Sequence, residues 1–273
     1  MCIYTTSFFY IKKKGEQIMS TKDIKEILRQ QYIKLAPDYE IFGIFLYGSQ
    51  NYGLATPESD VDTKMIIIPS FDDLVLKQPV SKTITFPHGE CDAKDVREMI
   101  KSYKKQNVNF IETLFTDHYI INPAYQAMYD KLVIKREEIA HYDEHKALDC
   151  FNGLMMQAKK RLISPTDNTR EEIEKYGYHP KSLMNICKYA AMTEKYIKGM
   201  DYKSVLSSEK YGALRTQILT EHDALEFAEK LDEITKTRIQ NAEPKPVNEK
   251  TGSWLDAWTK TLIGINIGLY KPL

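Results

Sequence analysis

The sequence predicts an α+β fold, in which a small mixed β-sheet comes first and an all-helical domain follows. Residues 41–47 and 63–68 are apolar runs of strand length, and the second is rich in β-branched side chains. Residues 82–86 alternate polar and apolar side chains and end at Pro87, as a half-exposed strand would. From Asn109 onward, apolar residues recur mainly at helical spacing. Strands followed by helices are typical of α+β proteins.

Three segments are expected along the chain. Residues 1–18 are expected to be a leader, 19–120 the sheet-containing domain, and 121–273 the α-helical domain. The leader has its lysines after its apolar stretch, which is the wrong side for a signal peptide, and no small-residue cleavage site follows. Because codons for residues 14–16 can resemble a ribosome-binding site, we expect translation to start at Met19. The alternative is a genuine but disordered arm.

Helix signals recur along the rest of the chain. A helix is expected from Ser20 to about Leu35, because Ser20 and Asp23 form a capping-box pattern ahead of apolar residues at helical spacing. Asp95 is expected to cap a second helix, and Pro123 fits the first turn of another. The remaining helices are expected over residues 144–162, 181–197, 204–219, 222–239 and 253–267.

Composition and charge are those of an ordinary globular protein. Of 273 residues, 42% are hydrophobic and 28% charged, and the formal net charge of zero argues against a strongly basic nucleic-acid binder. No apolar run approaches the roughly 20 residues needed to span a membrane, so no membrane partner is expected. The four cysteines are scattered and form no C-x-x-C pair, which argues against a disulfide framework or zinc site and favours a cytoplasmic location.

The most informative feature is Gly48-Ser49, which ten residues separate from Asp60-Val-Asp62. Side chains alternate faces along a strand, so the two aspartates would share a face, with Lys64 next on it. Adjacent carboxylates favour a divalent cation, and a Gly-Ser turn that opens a short helix offers N–H groups to phosphate. The pattern predicts phosphoryl or nucleotidyl transfer. The competing interpretation is an ordinary turn and two solvated carboxylates.

Three short motifs occur in order along the chain. Residues 46–68 contain Gly-Ser, Tyr-Gly-Leu-Ala-Thr-Pro, and Ser-Asp-Val-Asp with a basic residue at Lys64. Residues 107–114 read Asn-Val-Asn-Phe-Ile-Glu-Thr-Leu, and residues 177–181 read Gly-Tyr-His-Pro-Lys. Together they resemble the signature of the DNA polymerase β-type nucleotidyltransferase superfamily, above all its predicted bacterial and phage branch, which is sometimes associated with RNA repair. The resemblance covers about residues 45–190.

The resemblance implies nucleotidyl transfer with two metal ions, Mg²⁺ or Mn²⁺, and with a nucleoside triphosphate, expected to be ATP. It also implies a third carboxylate on a later strand, which we assign to Asp92, with Glu90 as the alternative. The expected catalytic residues and metal ligands are Asp60, Asp62 and Asp92. The expected nucleotide-binding residues are Gly48, Ser49, Lys64, Lys181 and Lys188. Lys181 lies at a helix start, where a cation is not favoured by the helix dipole and calls for an anionic partner.

The expected function is transfer of a nucleoside monophosphate to an acceptor hydroxyl on RNA or protein. The alternative is a catalytically inactive nucleotide-binding or protein-interaction module. Glu112 is expected to be structural, paired with Arg97 or Lys181, or else to line the cleft. An RNA acceptor would need a positive track, for which the candidates are Lys101, Lys104, Lys105, Lys159, Lys160 and Arg161.

Overall fold

A computed structural model describes residues 19–57 and 59–269; the expectation for residues 1–18 lies outside them. Five strands form one sheet in the spatial order β3-β4-β2-β1-β5. Their bounds are β1 Ile41–Leu46, β2 Thr63–Ile67, β3 Ser81–Phe86, β4 Gly89–Asp95 and β5 Tyr119–Ile121. The β2 and β4 strands run parallel, whereas the other neighbours are antiparallel. The predicted mixed sheet and the α+β class are therefore confirmed.

The helices surround this sheet and make up most of the chain after it. They are α1 Thr21–Leu35, α2 Phe71–Val75, α3 Val96–Lys104, α4 Val108–Ile111, α5 Gln126–Ile134, α6 Arg136–Ala140, α7 Glu144–Ile163, α8 Arg170–Tyr176, α9 Pro180–Ile197, α10 Tyr202–Leu206, α11 Glu221–Gln240 and α12 Glu249–Asn266. Within the described residues, no helix is long and apolar enough to cross a membrane.

The N-terminal helix α1 forms as its sequence predicts and covers one face of the sheet. Ser20 and Asp23 make the capping box, since each side chain accepts a hydrogen bond from the other residue's backbone N–H. The apolar stripe of α1, which includes Ile24 and Leu28, packs with Met65 of β2 in one hydrophobic cluster. Burial of this stripe fixes the helix against the sheet.

The other face of the sheet carries the largest hydrophobic core, which the helical region completes. Trp258 of α12 packs edge-on against Phe42 of β1, with ring centroids 5.6 Å apart. The indole N–H of Trp258 donates to the Met128 carbonyl at 2.9 Å. The last helix of the chain therefore returns to the sheet, and one core contains residues from both of the predicted domains.

Two sequence expectations differ from the structure in detail. The single helix expected over 204–219 is wrong: α10 ends at Leu206, and a 3-10 segment, Glu209–Arg215, follows. Ser208 interrupts the helix because its hydroxyl donates to the Leu206 carbonyl, a local bond that competes with helical pairing. The strand β2 begins at Thr63, so Asp60 and Asp62 immediately precede it rather than lie on it.

Candidate functional site

The Gly-Ser turn, which we define as residues 48–53, and the two aspartates lie side by side at one edge of the sheet. Because β1 and β2 are antiparallel, the end of β1 adjoins the start of β2. The Tyr47 amide N–H donates to the Asp62 carbonyl at 3.1 Å, which extends this pairing beyond the strands. The structure therefore brings together the two motifs that the sequence separates by ten residues.

The Gly-Ser turn depends on a glycine and leaves polar groups available. Gly48 has φ +85°, a conformation that favours glycine. Residues 49–53 form successive turns and no regular helix, so the helix expected after Ser49 is absent. The Ser49 carbonyl accepts from Leu54 N–H at 3.0 Å, whereas the Ser49 N–H and hydroxyl have no partner within residues 19–57 and 59–269. These two groups could donate hydrogen bonds to a phosphate oxygen.

Asp60 and Asp62 differ in exposure. Asp60 is exposed, whereas Asp62 is partly buried and its Oδ1 accepts from the Glu90 amide N–H at 3.2 Å. In the parallel register Lys64 pairs with Asp92, which places Glu90 opposite Asp62. Glu90 is therefore the acidic residue beside Asp62. Asp92 lies two residues further along β4, on the same face of the strand.

Asp92 is held by two lysines. Its Oδ2 lies 2.9 Å from the Lys64 ammonium and its Oδ1 lies 3.1 Å from that of Lys94. Burial alone would raise the pKa of Asp92, but the hydrogen bonds and charges of the two lysines outweigh it and hold the pKa below the usual value. Asp92 is therefore an ionised carboxylate with both oxygens engaged.

Lys64 is buried in an aromatic slot beside this carboxylate. Only 4% of Lys64 is exposed, and its ammonium lies 4.2 Å from the centroid of the Tyr47 ring and 4.5 Å from that of Phe110. Burial raises the pKa of the Tyr47 phenol well above its usual value, and so do four nearby carboxylates: Asp62, Asp92, Glu112 and Glu90. Four carboxylates therefore lie near the Tyr47 phenol at this edge of the sheet.

The donor chemistry of this edge fits a divalent cation in part. Asp60 and Asp62 offer the carboxylate oxygens that Mg²⁺ and Mn²⁺ prefer. No group of three or more His, Cys, Asp or Glu side chains among the described residues is arranged to hold a metal ion. The predicted third ligand, Asp92, is engaged by Lys64 and Lys94. Asp60, Asp62 and the exposed Glu90 therefore have carboxylate oxygens available to such an ion.

The two predicted lysines of the helical region lie on α9. Lys181, in the first turn, is exposed, whereas only 6% of Lys188 is exposed. The Lys188 ammonium lies 4.3 Å from the ring centroid of Tyr52 and 4.4 Å from that of Tyr189. Burial lowers the pKa of Lys188, the charge of Glu112 opposes this, and the charge of Lys181 lowers it further. Lys188 thus contacts the Gly-Ser turn through Tyr52, and the two lysines are close enough to interact.

Glu112 contributes more to this region than its sequence context indicates. The expected partners are wrong, because Arg97 pairs with Asp95 at 2.6 Å and Glu112 faces Lys188 instead of Lys181. Its carboxylate accepts from the Gly48 amide N–H, with both oxygens 3.3 Å from the nitrogen. In the sequence, Glu112 is an acidic residue among apolar ones. This pattern indicates burial but does not identify the residue that pairs with the carboxylate.

Half of the predicted basic track is paired with carboxylates. The Lys101 ammonium lies 2.6 Å from Glu98, and that of Lys104 lies 2.6 Å from Asp256. Lys159 is bound by Glu229 and Asp232. Three of the six candidate residues for RNA contacts therefore already have carboxylate partners.

The chain matches no known protein-family model, and no curated protein is significantly similar to it.

Proposed function

We propose that the protein transfers a nucleoside monophosphate from a nucleoside triphosphate, with ATP as the expected donor, to an acceptor hydroxyl. The observation that carries this proposal is the placement of the Gly-Ser turn beside Asp60 and Asp62, at the adjoining ends of two antiparallel strands. Phosphate-binding donors and metal-binding carboxylates are the two components that such a reaction needs at one place. The resemblance to DNA polymerase β-type nucleotidyltransferases supports the same chemistry.

In this proposal each residue has a defined task. Asp60 and Asp62 hold Mg²⁺ or Mn²⁺, which when bound neutralises phosphate charge and lowers the pKa of the acceptor hydroxyl. The Ser49 N–H and hydroxyl bind the β- and γ-phosphates. The acceptor hydroxyl loses its proton to solvent water as its oxygen forms a bond to the α-phosphorus, the bond from that phosphorus to the β-phosphate oxygen breaks, and pyrophosphate leaves. Lys181 and Lys188 supply positive charge from α9 to the triphosphate.

Asp92 and Lys64 form an ion pair that also belongs to the proposed site. The Lys64 ammonium lies 2.9 Å from Asp92, so this carboxylate would have to give up the ion pair in order to hold a metal ion. Glu90, opposite Asp62, is the alternative third carboxylate. With either assignment, Asp60 and Asp62 would be the other two residues that hold the metal.

A second candidate function is a nucleotide-binding or protein-interaction module without turnover. The observation that favours it is the engagement of both Asp92 oxygens by lysines. Such a module would bind nucleotide and transfer nothing. The acceptor in the enzymatic proposal is RNA or protein.

The test is label transfer from ATP carrying ³²P at the α-phosphate. The protein is incubated with Mg²⁺ and with separated RNA and protein fractions, and labelled products are counted. We expect label on an acceptor with the wild type and with Asp38→Asn, a control at an exposed aspartate, and none with Asp62→Asn. Binding of ATP without label transfer to either fraction would favour the inactive module.

A further inference from the structure

Glu112 is a fully buried carboxylate whose hydrogen bonds, among the described residues, all go to the Gly-Ser turn. Both oxygens accept from the Gly48 N–H at 3.3 Å, and Oε2 also accepts from the Asn51 side-chain amide at 3.4 Å. Asn51 is fixed in turn, because its amide donates to the Leu46 carbonyl at 2.8 Å and accepts from the Thr116 hydroxyl at 2.7 Å. A buried network of this kind holds the turn in one conformation.

Lys188 balances the charge of Glu112 from the helical region. Its ammonium lies between two aromatic rings, and none of the described residues places a carboxylate oxygen within the 4.0 Å of a salt bridge. Burial raises the pKa of Glu112, and the positive charge of Lys188 is the main influence opposing that rise. Each group therefore favours the charged form of the other, although they do not touch.

We infer that Glu112 is a positioning residue for the Gly-Ser turn, which it holds through hydrogen bonds to Gly48 and Asn51, and that Lys188 of α9, which packs on Tyr52 of the same turn, is its countercharge. This inference rests on the proposed function, in which the turn binds triphosphate. The Gly48 N–H points inward to Glu112, and this orientation leaves the Ser49 N–H and hydroxyl as the donors for phosphate. Loss of the Glu112 charge would release the Gly48 N–H and loosen the turn.

Other titratable groups lie near Glu112. Burial and the charge of Glu112 both raise the pKa of four nearby tyrosines, which therefore stay neutral: Tyr47, Tyr52, Tyr189 and Tyr202. Glu112 also lines a cavity of about 290 Å³, and four further titratable residues line the same cavity: Asp117, His118, Lys203 and Glu209. Lys203 pairs with Asp117 at 2.9 Å, and Glu209 is exposed.

The first test needs no nucleotide. In the apo protein labelled with ¹⁵N-glycine, the Gly48 amide resonance is followed by NMR from pH 8 to pH 5. We expect it to move with a midpoint above the ordinary glutamate pKa of about 4.3, to be static in Glu112→Gln, and to titrate at higher pH in Lys188→Met, where the stabilising cation is gone. A Gly48 resonance that does not titrate in the wild type, or that titrates alike in Glu112→Gln, overturns the inference.

The second test measures binding of Mg²⁺-ATP. Glu112→Gln should weaken binding by about tenfold or more, because the turn loses a charged hydrogen bond in a buried site. Asp117→Asn, which changes an exposed carboxylate that lines the same cavity, is the matched control and should bind as the wild type does. Equal affinity of Glu112→Gln and the wild type would overturn the inference.

The two tests separate this inference from the proposed function. A wild-type protein that shows the Gly48 titration but binds no Mg²⁺-ATP would contradict the proposed function and support the positioning role. A protein that binds and turns over ATP while the Gly48 resonance stays static would contradict the positioning role alone. If Glu112→Gln fails to fold, the wild-type titration still decides the matter.

Discussion

The Lys64 ammonium lies 2.9 Å from the Asp92 carboxylate, on neighbouring parallel strands at matching register positions. Lys64 is nearly inaccessible to solvent, so this carboxylate is the main compensation for a buried cation. The pair lies one step along the sheet from Asp62 and Glu90. It therefore links the stability of the fold to the proposed metal site.

Asp92→Asn should destabilise the protein by about 1–3 kcal/mol at neutral pH, because it leaves the Lys64 ammonium buried without its carboxylate partner. Lys94→Met, which removes the more exposed lysine, is the control and should cost less than about 1 kcal/mol. Urea unfolding of the three proteins measures the difference. Equal stabilities of Asp92→Asn and the wild type would contradict the structural role of this pair.

The contribution of Asp92 to stability should disappear in acid. Its folded-state pKa is lower than the unfolded value of about 3.9, so the ionised carboxylate stabilises the folded protein at pH values above that value. The stabilisation should fall as pH drops through the folded-state pKa. We expect the difference in unfolding free energy between wild type and Asp92→Asn to shrink from pH 6 towards pH 3. A constant difference over this range would show that ionisation of Asp92 is not its cause.

Gly48→Ala should destabilise the protein by about 1–2 kcal/mol and weaken nucleotide binding. A Cβ at this position would meet no atom within 4 Å, so the cost comes from the backbone, whose φ of +85° disfavours a side chain. Gly153→Ala is the matched control: a Cβ there also meets no atom, but the residue is within α7, and alanine should stabilise a helix by up to about 1 kcal/mol. Thermal or urea unfolding should move the two variants in opposite directions, and a shift in the same direction would contradict the role of Gly48.

Lys181→Ala should weaken binding of Mg²⁺-ATP by about 1–3 kcal/mol, the cost of losing a charged hydrogen bond to phosphate. The fold should survive because Lys181 is exposed. Lys198→Ala, at the opposite end of α9, is the control and should bind nucleotide normally. Calorimetric titration of the three proteins decides the matter. Equal affinities would mean that Lys181 does not reach the triphosphate.

Local signals predicted the elements of this fold well. The capping box of Ser20 placed α1, and Asp95 caps α3 as expected, with its carboxylate accepting from Arg97 N–H at 2.7 Å. The strands β1 to β3 and the long helices followed from periodicity. The failure over 204–219 arose because Ser208 forms a local hydrogen bond that periodicity does not register.

The partners of charged site residues could not be predicted in the same way. Lys64 finds Asp92 only once β2 and β4 pair in parallel. Lys188 comes near Glu112 only because α9 packs against the Gly-Ser turn. These contacts join segments far apart in the chain, and one sequence carries no signal that specifies which segments meet. The turn and the aspartates could be expected to lie together because the turn follows β1 and the aspartates precede β2, the next strand, which pairs with it.

The fate of the phosphates of ATP tests nucleotidyl transfer most directly. ATP labelled at the α-phosphate and, in a parallel reaction, at the γ-phosphate is incubated with Mg²⁺, the protein and the acceptor fraction. We expect the α-label on the acceptor and the γ-label in pyrophosphate, with both products absent from Asp62→Asn. Transfer of the γ-label to the acceptor, or α-label transfer that persists undiminished in Asp62→Asn, would contradict nucleotidyl transfer at this site.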